Sequence, residues 1–382
     1  MRFVLPHMTC ACALGRTNAE VIGSRAAFGR GGIPSPKPVS APGMREICGD
    51  IPGRPIFFGT VPGELPVISD PEFDMRTNRL LLHAAVGLRA ELDDLLARHG
   101  RDRVAVVLGA SNTGIDEAQR HVDCWLDSGE KPAALFYSQI ELGTPSDYLK
   151  RILGTTGPAY TVSTACSSST KVFAAARRLI ELGVVDAAVV GGVDGRCRFA
   201  MNGFHALGAL AQGRCRPLAA DRDGINLGEG VAIFTLEREA DAPATSTVPR
   251  IFLAGSGESS DAHHATAPDP EGCGAEAAMR AALADAGLAP GDIGYLNLHG
   301  TGTQANDAME MKAVRRVFGD DFRSFESTKD LTGHCLGAAG AVEAALCWLY
   351  LSAGLVGGAA MSNSFAFGGS NASLVLKAEA CA

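Results

Sequence analysis

The sequence lacks several short patterns that are typical of common enzyme classes. It has no GxxxxGK[ST] loop, no GxGxxG after its first strand-like segments and no GxSxG turn. These absences argue against a P-loop nucleotide-binding protein, a dinucleotide-dependent oxidoreductase and a serine hydrolase. Its eleven cysteines include no CxxC pair and no Cys/His ladder. Their odd number predicts reduced, mostly buried thiols and a cytoplasmic protein.

The sequence also has fewer positively charged residues than negatively charged ones. The chain has 34 Lys and Arg against 42 Asp and Glu, for a net charge of −8, which argues against a nucleic-acid partner. The N-terminal "MRFVLPHMTCACALGR" lacks the charged, apolar and small-residue regions of a signal peptide. We interpret it as the first strand, with a signal peptide as the alternative.

No apolar run is long enough to predict a membrane span. The longest, "AALCWLYLSAGLVGGAAM" (344–361), is interrupted by Gly354, Gly357 and Gly358, and no Lys or Arg flanks it. A bilayer-spanning helix needs about 20 consecutive apolar residues. The run therefore predicts a buried helix followed by a strand.

Short apolar runs instead alternate with helical stretches, which predicts an α/β fold. An amphipathic helix is expected over 76–100, ending at Gly100. Three runs without polar alternation predict strands buried on both faces: 103–111, 159–165 and 184–195. The helical segment "SSSTKVFAAARRLIELG" separates the last two strands, so that this part forms a βαβ unit.

The second half of the chain repeats this order of elements. Strands are expected over 231–239, 250–260 and 293–303, the last running into a glycine-broken loop. A helix is expected over 274–288, with Gly287 at its end, and a nearly all-apolar buried helix over 337–354. The segment 362–379 is interpreted as a loop leading into a final strand.

Cys166, in "TVSTACSSSTKVF", lies where a predicted strand meets a predicted helix. A helix N-terminus carries unpaired N–H groups and roughly half a positive charge. We therefore expect the pKa of this thiol to be lowered, which would favour the reactive thiolate, and we expect the same N–H groups to hold an oxyanion. The alternative is a buried, inert cysteine.

Two histidines and a lysine follow in glycine-rich segments. His299 ends a predicted strand in "NLHGTGT", and His334 precedes the apolar helix in "TKDLTGHCLGAAG". Either could be a structural residue, and their spacing does not predict a metal site. Lys329 would be a surface residue or, if buried, would need an acidic partner, for which Glu310 is the candidate.

Four motifs together carry a resemblance to a known family. "STACSSS", "NLHGTGT", "STKDLTGHCLGAAG" and "SNSFAFGGSN" occur in this order, with "RPLAADRDGINLGEG" (216–230) between the first two. From about residue 100 onward the chain resembles the elongating β-ketoacyl-[acyl carrier protein] synthases (type I/II) of the thiolase superfamily. The resemblance implies a five-layered αβαβα fold with two similar halves. Here these are 1–240, with the nucleophilic cysteine, and 241–382, with both histidines.

The resemblance also implies roles for individual residues. Cys166, His299 and His334 match the catalytic triad, and His334 distinguishes the chain from initiating synthases, which have Asn there, and from thiolases, which have a second Cys. Lys329 matches the family's active-site lysine, with Glu310 as its acidic neighbour, and Glu310 and Asp307 are assigned as structural support. Thr301 and Thr303 match residues that bind the phosphopantetheine arm. Phe367 matches the gate whose N–H joins that of Cys166 in the oxyanion hole, and Phe365 is a second gate residue.

The reaction implied is decarboxylative condensation of an acyl chain on Cys166 with malonyl-acyl carrier protein. No metal or cofactor is implied, since the carrier protein brings the phosphopantetheine. Family members form dimers across strands of the first half, so a homodimer or a heterodimer with a synthase-like subunit is expected. Lys150–Arg151 and Arg214/Arg216 are candidates for a basic rim that binds the acidic carrier protein, although a solvated charged surface explains them equally well.

The sequence also allows alternative functions, and it departs from the family's usual residues at several positions. The rivals are a non-catalytic chain-length factor, which usually lacks the cysteine, and a degradative thiolase. "GASNTGIDE", "GESSDAHHATAPDPEG" and "NDAME" resemble synthases of aryl-polyene pigment clusters. Ala366 replaces a usual Gly in the gate loop, Gly302 replaces a usual Ser between the two threonines, and the connection before "SNSFAFGG" is short.

Overall fold

The computed structural model describes residues 1–26, 41–243 and 249–380. Within them the strands are β1 (Phe3–Val4), β2 (Met8–Ala11), β3 (Met44–Ile51), β4 (Arg54–Gly59), β5 (Val104–Gly109), β6 (Ala159–Val162), β7 (Ala187–Asp194), β8 (Leu227–Gly228), β9 (Gly230–Arg238), β10 (Arg250–Ser260), β11 (Ile293–Asn297), β12 (Phe325–Glu326), β13 (Ala359–Phe365) and β14 (Ser370–Glu379). The α-helices are α1 (Asn18–Ala26), α2 (Arg76–Gly87), α3 (Arg89–His99), α4 (Ile115–Ser128), α5 (Thr144–Leu153), α6 (Ser168–Glu181), α7 (Arg198–Ala206), α8 (Cys273–Ala286), α9 (Gln304–Phe318), α10 (Lys329–Thr332) and α11 (Ala339–Ser352).

Most strands share one hydrogen-bonded order that contains an internal repeat. The order is β12-β11-β13-β14-β10-β1-β9-β7-β5-β6, with β2 also paired to β9. In the first half β5 pairs in parallel with β6 and β7, and β9 runs antiparallel between β7 and β2. In the second half β11 pairs in parallel with β12 and β13, and β14 runs antiparallel between β13 and β10. The two halves thus have the same strand pattern.

Three apolar cores hold these strands between helices and give the five layers. The central core joins α6 and α11 to strands of both halves. A second core packs α2, α3 and α5 against the outer face of the first half, and a third packs α8 and α9 against the second half. The predicted thiolase-like αβαβα architecture is confirmed. The division of the chain at residues 240 and 241 stays a prediction.

Most predicted elements are present, because short buried strands produce distinctive apolar runs. β10 has the predicted bounds, and the helices before Gly100 and Gly287 end at those glycines. The apolar run 344–361 forms the end of the buried helix α11, a connection at 353–358 and the start of β13. Among the described residues, no helix combines the length and apolarity that crossing a bilayer requires.

Two predictions about elements were wrong. The single helix expected over 76–100 is interrupted at Leu88, whose φ of −122° and ψ of 21° are not helical, so that α2 and α3 are separate. The segment 362–365, interpreted as a loop, belongs to strand β13, which is buried along its whole length. Because this segment contains serines and an asparagine, its hydrophobic pattern does not predict a strand.

Candidate active site

The chain makes a strained turn to present Cys166 between β6 and α6. Ala165, immediately before it, has a φ of +53°, a left-handed conformation that costs a non-glycine residue about 1–2 kcal/mol. Ser167 secures the turn, because its hydroxyl donates to the carbonyl of Thr164 (2.9 Å) and to the hydroxyl of Ser370 (3.0 Å). The sulfur of Cys166 is thereby held at the wall of a cavity.

The two predicted histidines meet Cys166 at this wall. His334 Nε2 lies 3.0 Å from Cys166 Sγ, and the ring centroids of His299 and His334 are 5.4 Å apart. The backbone N–H of His334 donates to the Asn226 carbonyl oxygen at 2.7 Å, which fixes the part of the backbone that carries the imidazole. The sulfur of Cys166 and one ring nitrogen of each histidine all lie within 4.8 Å of one another, although the three residues are far apart in sequence.

Burial has the largest effect on the pKa values of Cys166, His299 and His334. It raises the pKa of Cys166 to about 11, although Lys329 and the backbone N–H groups of Phe367 and Cys166 act to lower it. Burial and the Lys329 ammonium hold the pKa of both imidazoles well below their usual range. The expectation of a lowered thiol pKa was therefore wrong, because desolvation outweighs the favourable donors. The resting site contains a thiol beside two neutral imidazoles.

Lys329 is buried, but its partner is not the one predicted. Its ammonium pairs with the carboxylate of Glu343, which lies in the apolar helix α11. Glu310 instead accepts the backbone N–H groups of His299 (2.8 Å) and Gly300 (2.7 Å), so it supports the turn that carries His299. Burial raises the pKa of both Glu310 and Glu343 to about 7. The assignment of Glu310 as the acidic neighbour of Lys329 was wrong.

The loop with the two predicted pantetheine-binding threonines closes one side of the cavity. The hydroxyls of Thr301 and Thr303 lie 3.0 Å apart, and that of Thr303 caps α9 by accepting the N–H of Asn306. Asp307 accepts the N–H of Gly302 at 3.1 Å and lies 3.3 Å from the Arg222 guanidinium. The carboxylate of Asp307 therefore holds this loop against the segment that contains Arg222.

Gly302 has a structural reason to depart from the usual serine. Its φ is +82°, and an added Cβ would lie 2.6 Å from Cys215 Sγ and 2.8 Å from the Gly224 carbonyl oxygen. We expect Gly302→Ser to lower the free energy of unfolding by about 1–3 kcal/mol and to raise KM for a substrate that binds at the loop of Thr301 and Thr303. Urea denaturation and initial rates measure both effects.

The matched control for this substitution is Gly287→Ser. Gly287 has a similar φ of +64°, but an added Cβ there meets nothing within 4 Å. The loss of stability at Gly302 should exceed that at Gly287, and KM should change at Gly302 alone. Equal losses would mean that the steric contacts of Gly302 do not matter.

The predicted gate residues Phe365 and Phe367 also line the cavity. Phe365 is buried, with its ring 6.2 Å from that of His299, whereas the Phe367 ring is 38 % exposed and lies 5.5 Å from that of Phe204. Ala366 has an ordinary extended backbone with a φ of −113°, so alanine fits there without strain. The left-handed positions of this loop are Gly368 and Gly369.

Sequence reasoning missed part of the cavity, which has a volume of about 210 Å³. The loop 261–268, to which the sequence analysis gave no place in the site, contributes Asp261, Thr266, Ala267 and Pro268 to the lining. Its Ala265 carbonyl accepts the N–H of Gly368 at 2.7 Å, so this loop and the gate loop are joined. The quoted segment "GESSDAHHATAPDPEG" contained the signal, but its polar and proline residues do not distinguish a lining loop from a surface loop.

The two candidate basic pairs have different surroundings. Arg214 and Arg216 flank Cys215, whose sulfur contacts the Thr301 carbonyl, so they lie beside the threonine loop. Arg151 lies 3.3 Å from Asp70 and above the ring of Phe73. Arg216 pairs with Asp221 at 2.5 Å and is exposed. Only the Arg214/Arg216 pair therefore adjoins the residues that line the cavity.

Known proteins are similar to this chain in both sequence and structure. The sequence profile described as "Beta-ketoacyl synthase, N-terminal domain" matches residues 77–242, and "Beta-ketoacyl synthase, C-terminal domain" matches residues 251–360. Nodulation protein E of Rhizobium leguminosarum bv. trifolii is 36% identical over 306 residues, which cover 72% of this chain and 75% of that protein. The 3-oxoacyl-[acyl-carrier-protein] synthase 2 of Staphylococcus aureus (strain COL) is 32% identical, covering 79% and 82%.

Solved structures are similar to nearly the whole chain, and we describe one of them. It is the ketosynthase ApeO in complex with its chain length factor ApeC, from Xenorhabdus doucetiae. The identity is 40%, the TM-score is 0.90, and the alignment covers 99% of this chain and 98% of the other.

Proposed function

This chain belongs to the beta-ketoacyl synthase family, and from that premise we propose which of its residues perform the condensation and with what partner. It is an acyltransferase of the 3-oxoacyl-[acyl-carrier-protein] synthase class that uses no cofactor of its own, since the carrier protein brings the phosphopantetheine. The observation that carries the assignment of residues is the 3.0 Å contact between His334 Nε2 and Cys166 Sγ at the cavity wall.

In the first half-reaction Cys166 is the nucleophile. Its sulfur attacks the carbonyl carbon of an acyl-carrier-protein thioester, and its proton passes through His334 Nε2 to the departing pantetheine sulfur. A protonated resting thiol needs such a base, because its raised pKa leaves little thiolate at neutral pH. The backbone N–H groups of Cys166 and Phe367 stabilise the oxyanion of the tetrahedral intermediate.

In the second half-reaction a malonyl-carrier protein occupies the cavity, with its arm on Thr301 and Thr303. Loss of CO₂ leaves an enolate, whose negative oxygen accepts a hydrogen bond from one ring N–H of His299 and one of His334, each worth on the order of 3 kcal/mol. His334 is then in the tautomer with its proton on Nε2, since the acylated Cys166 has no thiol proton to give to that nitrogen. The lowered imidazole pKa suits this task, because a neutral ring keeps one N–H to donate. The enolate carbon then attacks the acyl-Cys166 carbonyl and displaces the thiolate, which takes up a proton.

The second subunit is proposed to be a chain length factor, as in the ApeO complex, and the product an aryl-polyene type chain. The free edge of the sheet at β6 and the nearby α4 region expose large apolar side chains, which would be covered in such a pair: Val122, Trp125, Leu126, Tyr137, Ile140 and Tyr160. The acidic carrier protein would bind at Arg214 and Arg216. The cytoplasm is proposed as the compartment, consistent with ten free thiols among the described residues.

Release of CO₂ from malonyl-carrier protein tests the proposal. We expect the protein, assayed alone and with a co-expressed chain length factor, to release CO₂ and to lose this activity by about 100-fold or more in His299→Ala and in His334→Ala. His7→Ala serves as the control, since His7 lies outside the cavity lining. Release of CO₂ only by the partner subunit would instead favour the non-catalytic role, and thiolytic activity with no CO₂ release would favour a thiolase.

A further inference from the structure

The catalytic trio has the composition of a soft-metal site. A thiol sulfur and two imidazole nitrogens lie within 4.8 Å of one another, and His334 Nε2 is 3.0 Å from the sulfur. A tetrahedral Zn²⁺ with one sulfur and two nitrogen ligands holds its ligand atoms about 3.3–3.6 Å apart. Side-chain movements of about 1 Å would therefore bring the three atoms to metal-binding distances.

The surroundings leave room for a fourth ligand. All three side chains line the cavity, so the open coordination position faces its interior, where a water molecule can bind. The nearest cation, Lys329, is paired with Glu343, which offsets its repulsion of a second positive charge. Glu310 lies behind the His299 backbone and adds negative charge on that side.

From this geometry we propose that Cys166, His299 and His334 bind a thiophilic divalent cation of the Zn²⁺ class and that the bound ion blocks acylation. Binding replaces the thiol proton: the S–H bond breaks, a metal–sulfur bond forms, and the proton leaves to solvent. No electron is transferred, so no oxidant or reductant is needed. The ion is a reversible inhibitor, which goes beyond the proposed condensation and involves no cofactor role.

The bound ion should inhibit only the first half-reaction, the transfer of the acyl chain to Cys166. In the acyl-enzyme the sulfur of Cys166 is a thioester, which lacks the thiolate charge that a metal ligand requires. The ion therefore competes with acyl transfer to the free enzyme and does not bind the acylated enzyme through this sulfur. Preformed acyl-enzyme should resist the ion while free enzyme is inhibited.

Cd²⁺ is the probe, because its bond to a thiolate gives an ultraviolet charge-transfer absorption that is read without any substrate. We expect titration of the wild-type protein to produce one more equivalent of this absorption than titration of Cys166→Ala. His299→Ala and His334→Ala should each weaken this equivalent by at least about tenfold, since even outer-shell changes at metal sites cost 10–100-fold. Zn²⁺ should displace Cd²⁺, and Mg²⁺ should not.

Alkylation provides a second readout that is independent of catalysis. Peptide mass spectrometry follows iodoacetamide modification of Cys166, with the exposed Cys48, Cys124 and Cys273 as references in the same digest. Cd²⁺ should slow the alkylation of Cys166 by tenfold or more relative to Mg²⁺. The proposal is overturned if Cys166 is protected no better than the exposed thiols, or if both histidine variants keep full affinity. Neither measurement depends on condensation, so the failure of the metal-binding proposal would leave the proposed function unaffected.

Discussion

Replacing Cys166 with alanine is expected to abolish the acyl adduct that the wild-type protein forms with acyl-carrier proteins. The reason is chemical: the acyl chain is held as a thioester on Sγ, and removal of a covalent nucleophile costs on the order of 10⁶-fold in turnover. Intact-mass measurement after incubation with a panel of acyl-carrier proteins reads the adduct directly. The chain length that gives the most adduct reports the size of the acyl pocket.

The control for this measurement is Cys273→Ala, which removes an exposed thiol and should keep the adduct. Alanine is well tolerated sterically at Cys166, because that side chain is small and borders the cavity. An adduct of equal amount on Cys166→Ala would identify another nucleophile and contradict the assignment. No adduct on wild-type protein that is folded and paired with its second subunit would do the same.

The parts of the fold that could be predicted are those in which local pattern and tertiary environment agree. β5 and β7 are buried on both faces, and their sequences are apolar runs apart from Asp194 at the end of β7. β13 is equally buried, but it contains polar residues whose partners come from elsewhere in the chain. Ser364 bonds with Thr170 at 2.7 Å, and Asn363 Nδ2 donates to Glu310 at 3.3 Å. A hydrophobic pattern contains no information about such distant partners.

The cluster of Cys166, His299 and His334 could be predicted from sequence because these residues lie in short motifs, whereas its electrostatics could not. The helix N-terminus near Cys166 suggested a lowered thiol pKa, but the degree of burial decides the direction, and burial depends on the whole fold. In the same way, part of the cavity lining comes from the proline-containing loop 261–268. The position of this loop relative to Gly368 follows only from the tertiary structure.

Glu343 was the informative residue that sequence reasoning passed over. It is the one acidic residue in α11, whose other residues are almost all apolar. A carboxylate inside a buried apolar helix needs a cation or hydrogen-bond donors, because the desolvation of an unpaired charge costs several kcal/mol. That requirement, applied to the sequence, would have led to Lys329 in the preceding segment. Glu310 satisfies its own carboxylate with backbone N–H groups and needs no lysine.

Separating Lys329 from Glu343 is expected to be the most destabilising single change in the site. Both side chains are at most 2 % exposed, so Glu343→Leu leaves the Lys329 ammonium buried without its partner, and Lys329→Met leaves the Glu343 carboxyl buried without its cation. Each should lower the free energy of unfolding by about 3–5 kcal/mol, measured by urea denaturation. The exposed pair Lys312–Glu271, at 2.9 Å, is the matched control, and Lys312→Met should cost less than about 1 kcal/mol.

The double variant Lys329→Met/Glu343→Leu separates structure from chemistry. Replacing both charges with apolar side chains of similar volume should restore stability to within about 1 kcal/mol of wild type, because no unpaired charge remains. Release of CO₂ should nevertheless stay low, since the ammonium that helps hold both imidazoles neutral and acts on the Cys166 sulfur is gone. A stable double variant with wild-type CO₂ release and an unchanged pH profile would show that the pair serves folding alone. In that case the electrostatics of the trio would rest on burial and on the N–H groups of Phe367 and Cys166.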